Sequence, residues 1–127
     1  MKQFKLNQTY FKVLITIKAL NDQHYYPLNE GIYKILSGVV DEETKPFIDL
    51  DSFGTLISYS SKKVCRLTMM LYRYGYLGRV FDSNTKELYF SLTEKGEKVT
   101  ETFLKGIKNH SLEKAKIVLL QLSKLTR

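Results

Sequence analysis

A mostly α-helical fold carrying one small antiparallel β-hairpin is predicted for this 127-residue chain by three observations in residues 52–96. Two short helical patterns flank a polar turn at Tyr59-Ser60-Ser61. Two strand-like runs flank Asp82-Ser83-Asn84-Thr85, and a capped helix start follows at Thr93. Helix, turn, helix, hairpin, helix is the order of a winged helix-turn-helix.

Each element has a local reason. Residues 1–6 mix Lys2 and Lys5 with Phe4 and Leu6, and read either as a frayed lead-in or as a segment packed on the C-terminal helix. From Thr9, a candidate cap, Tyr10, Val13, Leu14, Ile17 and Leu20 recur with a helical period while Lys12 and Lys18 point away. This predicts a first helix over 9–20, ended by Asn21-Asp22-Gln23. Tyr25-Tyr26-Pro27 then sets an extended entry, because the residue before proline is pushed out of the α region. A second helix over 28–37 follows, with Leu28, Ile32, Ile35 and Leu36 as its apolar side and Gly38 as its stop. Gly31 inside it costs about 1 kcal/mol against alanine, which predicts close packing or a late start. Residues 39–50, with Asp41-Glu42-Glu43 and the breaker Lys45-Pro46, read as a solvated acidic loop.

Asp51 or Ser52 then caps a short helix over 53–58, the expected first arm of the helix-turn-helix. Ser60 and Ser61 supply hydroxyls to the start of the second arm, residues 60–74. Val64, Leu67, Leu71 and Tyr74 form its inward stripe, and Lys62, Lys63, Arg66 and Arg73 its other side. Gly75 ends it. The strand over 76–81 turns back through Asp82-Ser83-Asn84-Thr85, and Leu88, Phe90 and Leu92 alternate with Tyr89 and Ser91, predicting one buried face of the hairpin 76–92. Thr93 caps a helix over 94–108, with Glu94 and Glu97 near its positive end and Val99, Phe103, Leu104 and Ile107 inward.

After the break Asn109-His110-Ser111, Leu112, Ala115, Val118, Leu122 and Leu125 form an apolar seam on a last helix, 112–126, widened by Ile117, Leu119 and Leu120. Two arrangements cover such a surface: packing on the first helix within one chain, or pairing with its copy in a homodimer. The whole chain reads as one domain, 1–127, with its core in 26–107.

Net charge is +7, unevenly spread. Residues 1–59 hold six Lys and seven Asp or Glu, a net of −1; residues 60–108 hold ten basic and five acidic residues, a net of +5; and residues 109–127 add a net of +3. No acidic residue lies between Ser52 and Phe81, so the cations of the second arm are unopposed in sequence, as a phosphate-binding face requires. A polyanion is the expected partner.

Other chemistries lack their residues. There is no nucleophile elbow, no glycine loop with its phosphate lysine and no His-Glu metal motif, so no enzyme and no cofactor are expected. Asp41, Glu42, Glu43, Asp49 and Asp51 offer oxygen ligands without the calcium-loop spacing. His24 and His110 read as turn residues and Cys65 as a small packing residue with no disulfide partner. Tyr76, Phe81 and Tyr89 stand near the hairpin, where aromatic rings beside cations suit stacking on unpaired bases. With no apolar run of the roughly 18 residues a membrane span needs, and no leader at the start, the cytoplasm is the expected compartment.

From Tyr26 to Val99, the segments PLNEGIYKILSG, FGTLISYSSKKVCRLTMMLYRYGYL and ELYFSLTEKG resemble the RQC domain, the winged helix of RecQ-family DNA helicases. The chain is similar to the small stand-alone members described as minor RQC DNA-binding proteins. The resemblance implies a DNA-binding winged helix that engages duplex ends or forks. It places candidate contacts at Ser60, Ser61, Lys62, Lys63 and Arg66 on the recognition helix, with Arg79 and Lys86 on the wing. The helicase motor and the four-cysteine zinc module are missing, and the tip Ser83-Asn84-Thr85 carries no aromatic wedge, so no unwinding is implied.

The expected function is therefore non-enzymatic binding of duplex or forked DNA through helix 60–74 and the wing, with Arg73 among the phosphate contacts. Two alternatives stand beside it: a dimeric regulator similar to the MarR or PadR families, and a protein-interaction module.

Overall fold

The computed structural model describes residues 4–106. Its elements are α1 (Gln8–Asp22), α2 (Asn29–Ser37), a single 3-10 turn (Lys45–Phe47), α3 (Ser61–Arg73), β1 (Leu77–Asp82) and β2 (Glu87–Leu92). Residues 94–106 form a further helix, α4. The predicted class holds, mostly helical with one two-stranded antiparallel sheet. Ile107 and helix 112–126, with the seam Leu112, Ala115, Val118, Leu122 and Leu125, lie outside the described residues.

One core joins α1, α2, α3 and the hairpin, and a second, smaller cluster of Leu20, Ile35 and Phe47 holds the 3-10 turn. Val13, Leu14 and Ile17 of α1 meet Ile32 and Leu36 of α2, Val64 and Leu71 of α3, and Leu77 and Phe90 of the hairpin. Burying such side chains contributes about 1.5–3 kcal/mol each. On α1 the cap is Asn7, whose Oδ1 accepts the Tyr10 amide at 2.9 Å, so Thr9 lies inside the helix instead of capping it. The helix runs on to Asp22 and leaves through His24, held at φ 61°. The next residues lock onto the wing: the Pro27 carbonyl accepts the Phe90 amide at 2.8 Å, and Asn21 Oδ1 accepts the Leu92 amide at 3.0 Å. The outer edge of β2 is thereby partly paired.

The connection from α2 to α3 corrects the sequence reading. Residues 51–58 form successive turns and no helix over 53–58. Gly54 sits at φ 73°, and its amide donates to Ile35 O at 2.8 Å, while the Leu56 amide donates to Leu36 O at 2.8 Å. Those carbonyls belong to the last turn of α2, where Ile35 O has only the capping Gly38 amide at 3.2 Å, and bonding them takes the amides a local helix would need. Ser52 is buried and hydrogen-bonds Thr16 Oγ1 at 2.6 Å instead of capping a helix. The first arm is therefore α2, tied to α3 by a hydrogen bond between Asn29 and Thr68.

Residues 39–53 are an excursion closed at its neck by two glycines. Gly38 lies at φ 81°, and a Cβ there would stand 3.3 Å from Gly54 Cα. The acidic loop is solvated as expected, with Glu42, Glu43, Asp49 and Asp51 exposed, and it is anchored at two points. Lys34 Nζ lies 2.9 Å from Asp41, 3.4 Å from Glu43 and 3.7 Å from Glu30, and Thr44 and Phe47 are buried. Gly31 faces this loop: a Cβ there would meet Glu43 Oε1 at 2.9 Å, which is the close packing expected of it.

The hairpin register pairs Leu77 with Leu92, Arg79 with Phe90 and Phe81 with Leu88. Its buried face is confined to the base, where Leu77 and Phe90 are buried; Leu88 and Phe81, nearer the tip, are exposed, so the expected alternation stops at Phe90. Thr93 caps α4 as predicted, its Oγ1 accepting the Gly96 amide at 3.0 Å and donating to Gly75 O at 2.6 Å. Phe103 stacks on Phe11 of α1 with centroids 4.0 Å apart. Phe4 stacks on Tyr74 at 4.3 Å, so the described part of the lead-in packs on the end of α3, while the C-terminal helix expected as its other support lies outside the described residues.

Candidate nucleic-acid interface

Helix α3 divides cleanly by period. Val64, Thr68 and Leu71 are buried, with Leu67 half-buried beside them. Tyr74, expected on this stripe, is exposed and finds its packing against Phe4. On the opposite side Lys62, Arg66, Met69 and Arg73 recur at spacings of four, three and four, one exposed stripe along the helix. Over those residues the helix rises about 16 Å, enough to run along a major groove.

The start of α3 is built for that orientation. Ser60 adopts an extended backbone, and its Oγ accepts the Lys63 amide at 3.2 Å. Ser61 is the first helical residue and is exposed; Lys63 is exposed too, its ammonium 5.4 Å from the Tyr59 ring centroid. At the other end, Gly75 at φ 85° ends the helix, and Lys95 of α4 donates to Tyr74 O at 2.9 Å. That lysine also lies over the Tyr76 ring, which makes Tyr76 a packing residue.

The wing brings one cation to this face. Arg79 shares the side of the hairpin that holds Phe90, and its guanidinium lies 5.2 Å from the Tyr72 centroid and 4.9 Å from that of Phe90. Its Nη2 also reaches Met69 Sδ at 3.4 Å. Arg79 therefore stands beside the α3 stripe, and Met69 and Tyr72 join the face without having been singled out in the sequence. Their signal was the helix period, which places them between Arg66 and Arg73. Lys86 is set apart at the tip, at φ 60°, where its amide closes the turn onto Asp82 O at 2.7 Å.

The cations of this face are free of ion pairs with the described residues. Among the described residues no carboxylate lies within 4 Å of Lys62, Lys63, Arg66, Arg73, Arg79 or Lys86, whereas Lys18, Lys34 and Lys98 each have an acidic partner. Next to the start of α3 the balance is mixed, because Glu30 and Lys34 of α2 line a pocket together with Ser61, Lys62 and Cys65. Hydrogen bonding to Lys34 holds the Asp41 carboxyl below its ordinary range, and the same bond raises the Lys34 ammonium.

Among the described residues no group of three His, Cys, Asp or Glu is placed to hold a metal ion, and no helix is long and apolar enough to cross a membrane. No protein-family model and no curated protein matches the chain.

Proposed function

We propose that this protein binds DNA through α3 and the adjoining side of its wing. The observation that carries the reading is the unopposed stripe Lys62, Arg66 and Arg73, extended sideways by Lys63 and Arg79. Neutralising phosphates with such cations releases counterions, which supplies affinity without sequence preference. The capped start of α3 at Ser60 and Ser61 turns backbone amides toward the same partner, fixing register. Lys86 at the wing tip reaches the adjacent backbone.

The likeness of residues 26–99 to the RQC domain favours a duplex end or fork as the preferred form. Fluorescence anisotropy with matched blunt duplex, forked duplex and single strand, repeated over salt, tests both parts. Binding that falls with salt supports DNA as the partner, and tighter binding to the fork supports the RQC-like form. Absence of binding at low salt would overturn the proposal.

A further inference from the structure

The face of the wing turned away from α3 borders a separate cavity of about 400 Å³. By the alternation of the hairpin, Val80, Tyr89 and Asp82 lie on the side opposite Arg79 and Phe90. Tyr25 and Tyr26, from the connection between α1 and α2, form the other wall. The size suits one side chain or a small ligand.

Its chemistry is the reverse of the α3 face. No lysine or arginine lines the cavity; its ionisable lining besides the tyrosines is Asp82 and His24. Two more carboxylates stand just behind the tyrosine rings: Glu43 Oε1 is 3.1 Å from the Tyr25 hydroxyl, and Glu87 Oε2 is 3.3 Å from that of Tyr89. Lys34 is the nearby cation, and it is spent on Glu30, Asp41 and Glu43. Burial, with the Glu43 contact second, pushes the Tyr25 phenol up to about 12, so the hydroxyl keeps its proton and donates to Glu43. The unusual backbone of His24 needs no ligand to explain it, since that residue terminates α1 with the Tyr25 amide on Leu20 O at 2.9 Å.

We infer that this cavity is a recognition site for an arginine side chain presented by a partner protein. Three tyrosines offer aromatic rings to a guanidinium, and Asp82 offers Oδ2 to one of its N–H groups, Oδ1 being held by the turn amides. A lysine ammonium matches the carboxylate but not the planar stacking. A peptide is favoured over a free small cation because the lining residues Val80 and Tyr26 are themselves 44% and 40% exposed and offer apolar contact to the residues flanking the arginine. The site is distinct from the DNA face, so its occupancy leaves α3 available.

The test titrates acetyl-Gly-Arg-Gly-amide and its citrulline counterpart, equal in shape but uncharged, into the full-length protein while following tyrosine ring resonances. The arginine peptide is expected to shift Tyr25, Tyr26 and Tyr89 saturably, with the citrulline peptide about tenfold weaker. Asp82→Asn keeps the Oδ1 acceptor for the Asn84 and Thr85 amides, 2.8 and 3.4 Å away, so the turn is retained while the charge is lost. That variant and Tyr26→Leu, at an exposed position, should each weaken the arginine peptide several-fold. Equal binding of the two peptides, no shift with either, or affinity unchanged in both variants would overturn the inference. Choline binding as tightly as the peptide would overturn the protein partner.

Discussion

The guanidinium of Arg79 lies 5.2 Å from the centroid of the Tyr72 ring, joining the wing to the exposed side of α3. Such a contact contributes about 0.5–1 kcal/mol at an exposed site. Its larger consequence is positional, because it holds the wing cation beside Met69 of the α3 stripe. Arg79→Ala should therefore weaken DNA binding and lower the log–log salt slope by about 0.9 on duplex. Tyr72→Leu should weaken binding with the slope unchanged, because it removes a positioning ring and no charge. Anisotropy across salt concentrations separates the two effects.

Gly96 should not tolerate a side chain. A Cβ there would fall 2.1 Å from the Tyr76 carbonyl oxygen, at the point where α4 crosses the start of β1. That carbonyl also accepts the Thr93 amide at 3.2 Å and has little room to move. Gly96→Ala is expected to cost about 1–3 kcal/mol or more as an overpacked site. Chemical denaturation monitored by circular dichroism measures it.

The two serines at the start of α3 should separate by stability. Ser60 caps the helix through the Lys63 amide, whereas Ser61 is an exposed first-turn residue. Ser60→Ala is expected to cost about 1 kcal/mol, and Ser61→Ala to change stability by less than about 0.5 kcal/mol. Urea midpoints of the two variants give the comparison.

The pair of Asp41 and Lys34 predicts a definite pH dependence. Asp41 is depressed from 3.8, first by Lys34 and then by the Thr44 amide, so its contribution is present above about 3.8 and is lost as pH falls through the depressed value. Lys34 is raised from 10.5, chiefly by Asp41, so its contribution is present below 10.5 and is lost as pH rises through the raised value. Asp41→Asn should lower the thermal midpoint at neutral pH, and the gap to the unsubstituted protein should close in acid. Melting curves from pH 2 to 7 test this.

Much of the fold was legible because its signals are local. Ser60 and Gly75 mark the ends of α3, Gly38 ends α2, and Asp82-Ser83-Asn84-Thr85 marks the hairpin turn. What escaped was set by distant partners. Residues 53–58 carry a helical pattern, yet the Gly54 and Leu56 amides go to α2, across a separation no window of sequence contains. The same holds for Asn21, whose Nδ2 donates to Tyr25 O locally but whose Oδ1 receives the distant Leu92 amide. The acidic loop was legible as solvated, but its anchor was not, because Lys34 lies on the preceding helix. At the candidate site the cations were legible by type and spacing. The place of Arg79 against Tyr72 was not, because it depends on how the hairpin leans on α3.

The most direct test of the central claim compares the protein with its Lys62→Ala, Lys63→Ala, Arg66→Ala triple variant on duplex DNA over a range of salt. All three residues are exposed, so the variant should fold, which circular dichroism verifies. The account predicts weaker binding on every sequence and a log–log slope flatter by about 0.9 for each lost phosphate contact. An unchanged slope, or no DNA binding by the unsubstituted protein at low salt, would contradict it.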